Sequence, residues 1–194
     1  SAPGGCASQL VFGMFLFWTY KQGWLQVYTG VETTWDKVYF VLSVMLAMFI
    51  HDAYFYWAHR AMHTKWLFRK VHAVHHKSIN PTPLSSYCFH PFEAFLDIFF
   101  LFPLLLLVPM HPYAIFIFFL LTFLFNVEGH TVIEFMPKWI WDAWITTPTH
   151  HNLHHQKFNC NYALYYRYWD EWFGTLYADT EKAFKEIRSR PRQT

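Results

Sequence analysis

Charge is scarce in this sequence. Of 194 residues only 14% are Asp, Glu, Lys or Arg, against about a quarter in ordinary globular domains. The formal net charge of +2 is too small for a nucleic-acid-binding surface. Glycine is rare too: there are seven, with no GxGxxG and no P-loop pattern, so neither a dinucleotide nor a nucleoside triphosphate has its usual cradle. Three cysteines, Cys6, Cys88 and Cys160, are odd in number and far apart. They support neither a disulfide framework nor a CxxC zinc or redox site, nor a cluster for an iron–sulfur centre, and read as ordinary buried thiols. No low-complexity tract or solenoid repeat marks a linker, and this length suits a single domain.

What the sequence has instead is apolar and aromatic. Hydrophobic residues make up 54% and aromatics 23%, with 22 Phe, 12 Tyr and 10 Trp. The mean hydropathy of +0.10 understates this, because the scale scores His, Tyr and Trp as polar. A first apolar stretch, Leu10 to Tyr20, lacks the basic leader and AxA-like site of a secretory signal and reads as a span, with truncation of its start left open. A second runs from Val38 to Ile50 and on through Ala53 to Ala58, near the length that crosses a bilayer. From Ile98 to Val127 there is no Asp, Glu, Lys or Arg. As one helix that stretch would reach about 45 Å, but Pro109-Met110-His111-Pro112 cannot continue a helix. The expectation is therefore a hairpin, with Glu93 to Pro109 going in and Tyr113 to Val127 returning. These stretches are apolar all round, which favours lipid contact or complete burial, and the helices of a soluble bundle are the alternative. The predicted fold is all-α: an integral membrane helical bundle of about four membrane helices with a cytosolic histidine-rich helical cap. Residues 1–37 form the N-terminal span and connecting loop, 38–180 the catalytic domain and 181–194 a basic tail. Five basic residues and no acid between Arg60 and Lys77 place the cap on the cytosolic side.

Thirteen histidines are present, ten of them in two windows. His59 and His63 lie four apart, one helical turn from each other; alone, this pair carries little weight. In HAVHH, His72 stands three residues from His75 and four from His76. On an α-helix the three share about 100° of circumference. The same spacing returns in HNLHH as His151, His154 and His155. Adjacent histidines diverge by about 100° on a helix and can hardly serve one ion, but suit two neighbouring ions. Eight histidines exceed the ligands of one tetrahedral or octahedral ion, so a dinuclear site is the economical reading, with iron, copper, zinc and nickel all open. The hairpin's two crossings return the chain to one side, which makes His130, in NVEGH, a ninth candidate. The Glu and Glu-x-x-His motifs of soluble di-iron bundles are absent.

Seven motifs in order, HDAYFYWAHRAMH, VHAVHH, NPTPLSSYCFHPFE, NVEGH, TPTHHNLHH, NYALYY and WDEWFGT, make residues from about Val38 to Asp179 resemble the fatty acid hydroxylase and sterol desaturase superfamily of membrane di-iron enzymes. The chain looks most like the bacterial branch carrying NxxGH. The resemblance implies a non-heme di-iron centre of two iron ions, O2 as co-substrate and a lipid C–H bond (fatty acyl, sterol or related) hydroxylated or desaturated in a bacterial inner membrane or the endoplasmic reticulum. Zinc is a possible substitute in purified protein. It makes His59, His63, His72, His75, His76, His130, His151, His154 and His155 the ligands. Some relatives carry a further histidine where this chain has Asn126, which could orient a water or leave an opening for O2. His90 is a tenth ligand or, by preference, a supporting donor, with Glu93, Asp52 and Asp170 orienting histidines through their free ring nitrogens. For Asp52 and Asp170 the alternative is a helix cap or a salt bridge to the basic loop, and for Asp170 the two readings weigh equally. Asp97, one turn after Glu93, expects a partner; His111 reads as a turn residue, and His51 and His150 have no assigned role. Trp139, Trp141, Trp144, Trp169 and Trp172 suit an interfacial belt. Without a cofactor cradle of its own, the chain needs an external electron donor, a reductase with a ferredoxin or a cytochrome b5-like carrier. The alternative is a histidine-rich membrane metal-binding or transport protein without oxygenase activity.

Overall fold

The protein is described by a computed structural model covering residues 3–79, 81–87, 89–131, 133–142 and 144–189. Among these residues it is all-helical. The chain divides into two compact units, residues 1–54 with 89–123 and residues 55–88 with 124–194. The side chain of Cys6 and the whole of Cys88 lie outside the described residues; Cys160 is a buried free thiol.

In the first unit, α1 (Pro3–Lys21) packs against α4 (Pro91–Phe99). Phe12 is buried at that contact, its ring 5.7 Å from Phe95 and 6.1 Å from Phe99. Helix α2 (Thr34–Met62) is longer than the sequence pattern predicts, about 44 Å at 1.5 Å per residue. Its early start follows from a capping box. The Asp36 carboxylate accepts from the Thr33 N–H at 2.7 Å while the Thr33 hydroxyl accepts from the Asp36 N–H at 3.2 Å.

The predicted hairpin is present, with its ingoing arm divided into α4 and α5 (Leu101–Leu107). Pro103 accounts for the division, since it has no N–H to give the carbonyl of Phe99, four residues before. Helix α6 (Pro112–Gly129) is the return. Both His–Pro dipeptides start helices: the Nδ1 atoms of His90 and His111 accept from the N–H of Phe92 and Tyr113, each at 3.2 Å, with proline at the first helical position. The turn between α5 and α6 is clamped by an extended segment. Gln26 N–H donates to Leu105 O at 2.7 Å and Met110 N–H to Gln26 O at 2.9 Å, while His111 Nε2 donates to Thr29 O. His111 is thus a cap and clamp as well as a turn residue. Among the described residues two helices, α2 and α6, are long and apolar enough to cross a membrane. Only 17% of the apolar window of α6 is buried, which argues against a core helix of a soluble bundle.

The second unit contains the end of α2, α3 (Lys65–Lys70), a 3₁₀ segment His72–Lys77, α7 (Lys138–Asp142), α8 (Pro148–Lys157), α9 (Tyr168–Trp172) and α10 (Thr180–Ser189). Its core gathers Tyr56, Tyr162 and Ala163, with Trp169 packed against them. Trp169 therefore departs from the interfacial belt, whereas Trp139, Trp144 and Trp172 are exposed; the Trp141 side chain lies outside the described residues. Arg60 donates to the Tyr56 hydroxyl at 3.1 Å, and Thr175 gives its hydroxyl proton to Asp170 at 2.8 Å. The Tyr56 hydroxyl therefore donates to Thr175, 2.8 Å away. Tyr56→Phe breaks this chain in a fully buried place. It is expected to cost about 1–2 kcal/mol, read as a lower Tm in detergent with unchanged metal content.

Candidate metal centre

The predicted α-helix at HAVHH is instead a 3₁₀ turn. Helix α3 stops at Val71 (φ −124°, ψ −65°), and the tighter winding that follows eclipses residues i and i+3. The rings of His72 and His75 accordingly stack, 5.3 Å apart and 26° from parallel. In α8 the pair His151 and His154 does the same at 5.6 Å and 25°. Adjacent histidines part company in both boxes, and one pattern results. The first and last histidine of each box stay together, and the middle one crosses to the other set. One set is His59, His63, His72, His76 and His154; the other is His75, His130, His151 and His155.

Within each set the Nε2 atoms converge. His76 Nε2 lies 3.1 Å from His72, 3.2 Å from His63 and 3.1 Å from His154, and His59 lies 3.2 Å from His72. In the second set His130 lies 3.3 Å from His75 and 3.2 Å from His151, which lies 3.1 Å from His155. Hydrogen bonding between imidazoles cannot satisfy all of these contacts at once. Four Nδ1 atoms face main-chain carbonyls, which only accept: His59 faces Tyr162 O at 2.9 Å, His154 faces Cys160 O at 2.7 Å, His130 faces Asn126 O at 2.7 Å and His155 faces Ser78 O at 3.1 Å. Each of these Nδ1 atoms must carry the proton, so in the neutral ring Nε2 is a bare lone pair. His151 Nε2 faces two such lone pairs, those of His130 at 3.2 Å and His155 at 3.1 Å, and a neutral ring can donate to only one of them, so a contact is left repulsive unless a cation lies between. Two nitrogens about 2.1 Å from one ion at tetrahedral or octahedral angles stand roughly 3.0–3.4 Å apart. The donor set thus fits two metal ions, five nitrogens for one and four for the other. Burial keeps the rings neutral: it pulls His76 down to about 2, His155 to about 3 and His130 to about 4, and lowers His72, His75, His151 and His154 well below the usual histidine range.

The carbonyls that orient the rings are themselves held. Asp170, fully buried, accepts from the N–H of Tyr162 at 2.8 Å and of Ala163 at 3.0 Å, from Thr175, and from His150 Nε2 at 3.0 Å. Burial alone would raise its pKa, but the hydrogen bonds and charge of His150, with the bonds from Ala163 and Thr175, hold it below the usual carboxylate value. Asp170 therefore steadies the segment whose carbonyls orient His59 and His154, and gives His150 its role. Asn161, left-handed at φ 57°, ties that segment to α8 by donating to His150 O at 3.0 Å. Thr147 precedes α8 without capping it; Glu134 does so, its Oε2 accepting from Thr149 N–H at 3.1 Å and Thr149 hydroxyl at 2.7 Å. That carboxylate also complements the helix dipole. Sequence reasoning missed Asn161 and Glu134, and neither belongs to a histidine motif.

Asn126 orients His130 through its carbonyl, while its side-chain amide donates to Ser86 O at 3.1 Å. It also lines, with His130, His151 and Thr146, a cavity with space for about one water-sized molecule. His90 spends its Nδ1 on capping α4. Glu93 and Asp52 are buried, and His51 is buried against Phe100 and Phe118, all in the first unit.

The sequence profile described as "Fatty acid hydroxylase" matches residues 44–175, well over half of the chain. Similar proteins include a very-long-chain aldehyde decarbonylase of Oryza sativa subsp. japonica, 30% identical over 170 residues (79% of this chain, 26% of the relative). A Delta(7)-sterol 5(6)-desaturase of Gibberella zeae is 30% identical over 150 residues (77% and 46%). Lathosterol oxidase of Homo sapiens is 29% identical over 138 residues (70% and 45%). The chain spans from about a quarter to just under half the length of these relatives. No solved structure matches.

His154→Ala should drop bound metal from two ions per chain to about one, measured by elemental analysis after dialysis. Two ions held with unchanged affinity would remove His154 from the donor set. Asp170→Asn should weaken metal affinity by about 10–100-fold with all nine histidines still in place.

Proposed function

The chain belongs to the fatty acid hydroxylase family, and on that premise we propose that residues 38–180 form the catalytic domain of a membrane non-heme di-iron oxygenase that hydroxylates or desaturates a lipid C–H bond with O2 and external electrons. The observation that carries the reading is the convergence of nine Nε2 atoms in sets of five and four. The chemistry contributed by bound iron is reductive activation of O2 and removal of hydrogen from an unactivated C–H bond, the step that hydroxylation and desaturation share. The relatives' names, an oxidase, a desaturase and a decarbonylase of lipids, support the substrate class.

The protein's part is geometry and exclusion of water. His59, His63, His72, His76 and His154 would hold one ion, and His75, His130, His151 and His155 the other. The carbonyls of Tyr162, Cys160, Asn126 and Ser78 fix four of the rings, and Asp170 and Asn161 fix the segment that supplies two of those carbonyls. Phe68 and Phe158 cover His76 with their rings at 5.5 and 5.1 Å. The cavity beside His130 and His151 has room for about one water-sized molecule and is too small for a lipid. The basic segment from Arg60 to Lys77 supports a cytosolic position for the centre.

A histidine-rich metal carrier is the second reading. It requires donors that release their ion along a pathway near the middle of the membrane; deeply buried rings locked by carbonyl bonds suit retention instead. Purified full-length protein in lipid nanodiscs, loaded with iron and given a reductant, should yield a lipid product that gains one oxygen atom or loses two hydrogens, only when O2 is present. Near-stoichiometric zinc with no O2-dependent product, even after iron replacement, would sink the oxygenase reading.

A further inference from the structure

Helix α3, with the sequence KWLFRK, buries none of its residues. Lys65, Arg69 and Lys70 are exposed, and so is Lys77 just beyond. Among the described residues no ion pair within 4.0 Å engages any of them, and no Asp or Glu occurs from Ala53 through Phe92. Trp66 stands 68% exposed among these cations. Unpaired cations around an exposed tryptophan match the composition of a protein-binding hot spot, where Trp and Arg are the enriched anchors.

The inner side of the same helix touches the five-histidine set. The ring of Phe68 lies 5.3 Å from His63, 5.5 Å from His76 and 6.2 Å from His72. It also lies 5.9 Å from Phe158, which is 5.1 Å from His76. One aromatic layer therefore separates the basic face from five convergent nitrogens. The cavity, by contrast, touches His130 and His151 of the four-nitrogen set. The basic helix and the small cavity thus border different histidine sets.

Resting on the oxygenase reading, we propose that the exposed basic face of α3 is the docking surface for an acidic protein electron carrier, with Phe68 and Phe158 bridging it to the five-histidine set. Each encounter passes one electron from the reduced carrier, which is oxidised, to the ion held by His59, His63, His72, His76 and His154, which is reduced. Two such electrons and two protons convert one oxygen atom of O2 to water while the other atom enters the lipid, or both atoms become water when two hydrogens leave it. A membrane surface would also attract lysines and a tryptophan. An interfacial helix, however, turns its apolar side chains outward, whereas Leu67 and Phe68 are partly buried, Phe68 against the histidines.

The test uses the full chain, iron-loaded, in phosphatidylcholine nanodiscs, with a strongly acidic [2Fe–2S] ferredoxin as probe. Binding of the ferredoxin, and its oxidation once reduced, should weaken about tenfold from low to physiological salt and again about tenfold in Lys65→Glu/Arg69→Glu/Lys70→Glu. Iron content and reduction by dithionite, which needs no docking face, should stay unchanged. If the triple reversal loses iron, the neutral pair Arg69→Gln/Lys70→Gln should reproduce the binding defect in smaller measure. Ferredoxin binding and oxidation at the wild-type rate in an iron-replete variant would overturn the proposal. So would loss of affinity for phosphatidylserine vesicles with ferredoxin binding intact, which would assign the face to lipid. If dithionite cannot reduce the wild-type centre, the oxygenase reading fails and this proposal falls with it.

Discussion

Four hydrogen bonds from histidine Nδ1 atoms to main-chain carbonyls set the terms for the rest of the molecule. They commit Nδ1 to carrying the proton and leave Nε2 as a lone pair. Four such nitrogens, two in each set, join those of the other five histidines at separations that a single proton per ring cannot satisfy throughout. A bound cation would thereby couple to folding of the second unit, since the same burial that assembles the rings denies them protons. Much of the polar framework follows from this need. Asp170 steadies residues 162 and 163, Asn161 ties that segment to α8, and Glu134 caps the helix that bears four histidines.

The division into five and four follows from which elements supply histidines beyond the two boxes. Each HxxHH box gives two nitrogens to one set and one to the other, in opposite senses, so the boxes alone would give three and three. Helix α2 and the residue just beyond its end add His59 and His63 to one side, and the residue after α6 adds only His130 to the other. The richer set lies under Phe68 and Phe158, and the poorer one borders the small cavity. Phe158 reaches its place at a positive φ of 68°, where helix ends usually use glycine. A bulky side chain in that conformation is uncommon, and here it sets a ring against His76.

The sequence makes part of this legible. Repeated HxxHH spacing is a chemical statement that survives a change of helix type, so the separation of His75 from His76 and of His154 from His155 was readable although the 3₁₀ turn was not. Pro109 and Pro112 mark the hairpin in the sequence, whereas the break after Phe99 depends on the N–H that Pro103 lacks, inside a stretch that is otherwise uniformly apolar. The carbonyls of Cys160, Tyr162 and Ser78 left no trace, because every residue has a carbonyl and only tertiary folding selects which ones face a ring. Glu134 and Asn161 escaped for a related reason: each acts on a neighbouring helix or loop across a gap in sequence. Asn126 was noticed for its side chain, yet its carbonyl is what orients His130.

The two histidine sets would surround two ions with imidazole nitrogens and little else. X-ray absorption at the iron edge of the iron-loaded protein, together with the iron count, tests this most directly. Two irons per chain are expected, each with a nearest shell dominated by imidazole nitrogen and without sulfur. One iron per chain, or a shell dominated by carboxylate oxygen or thiolate, would contradict it.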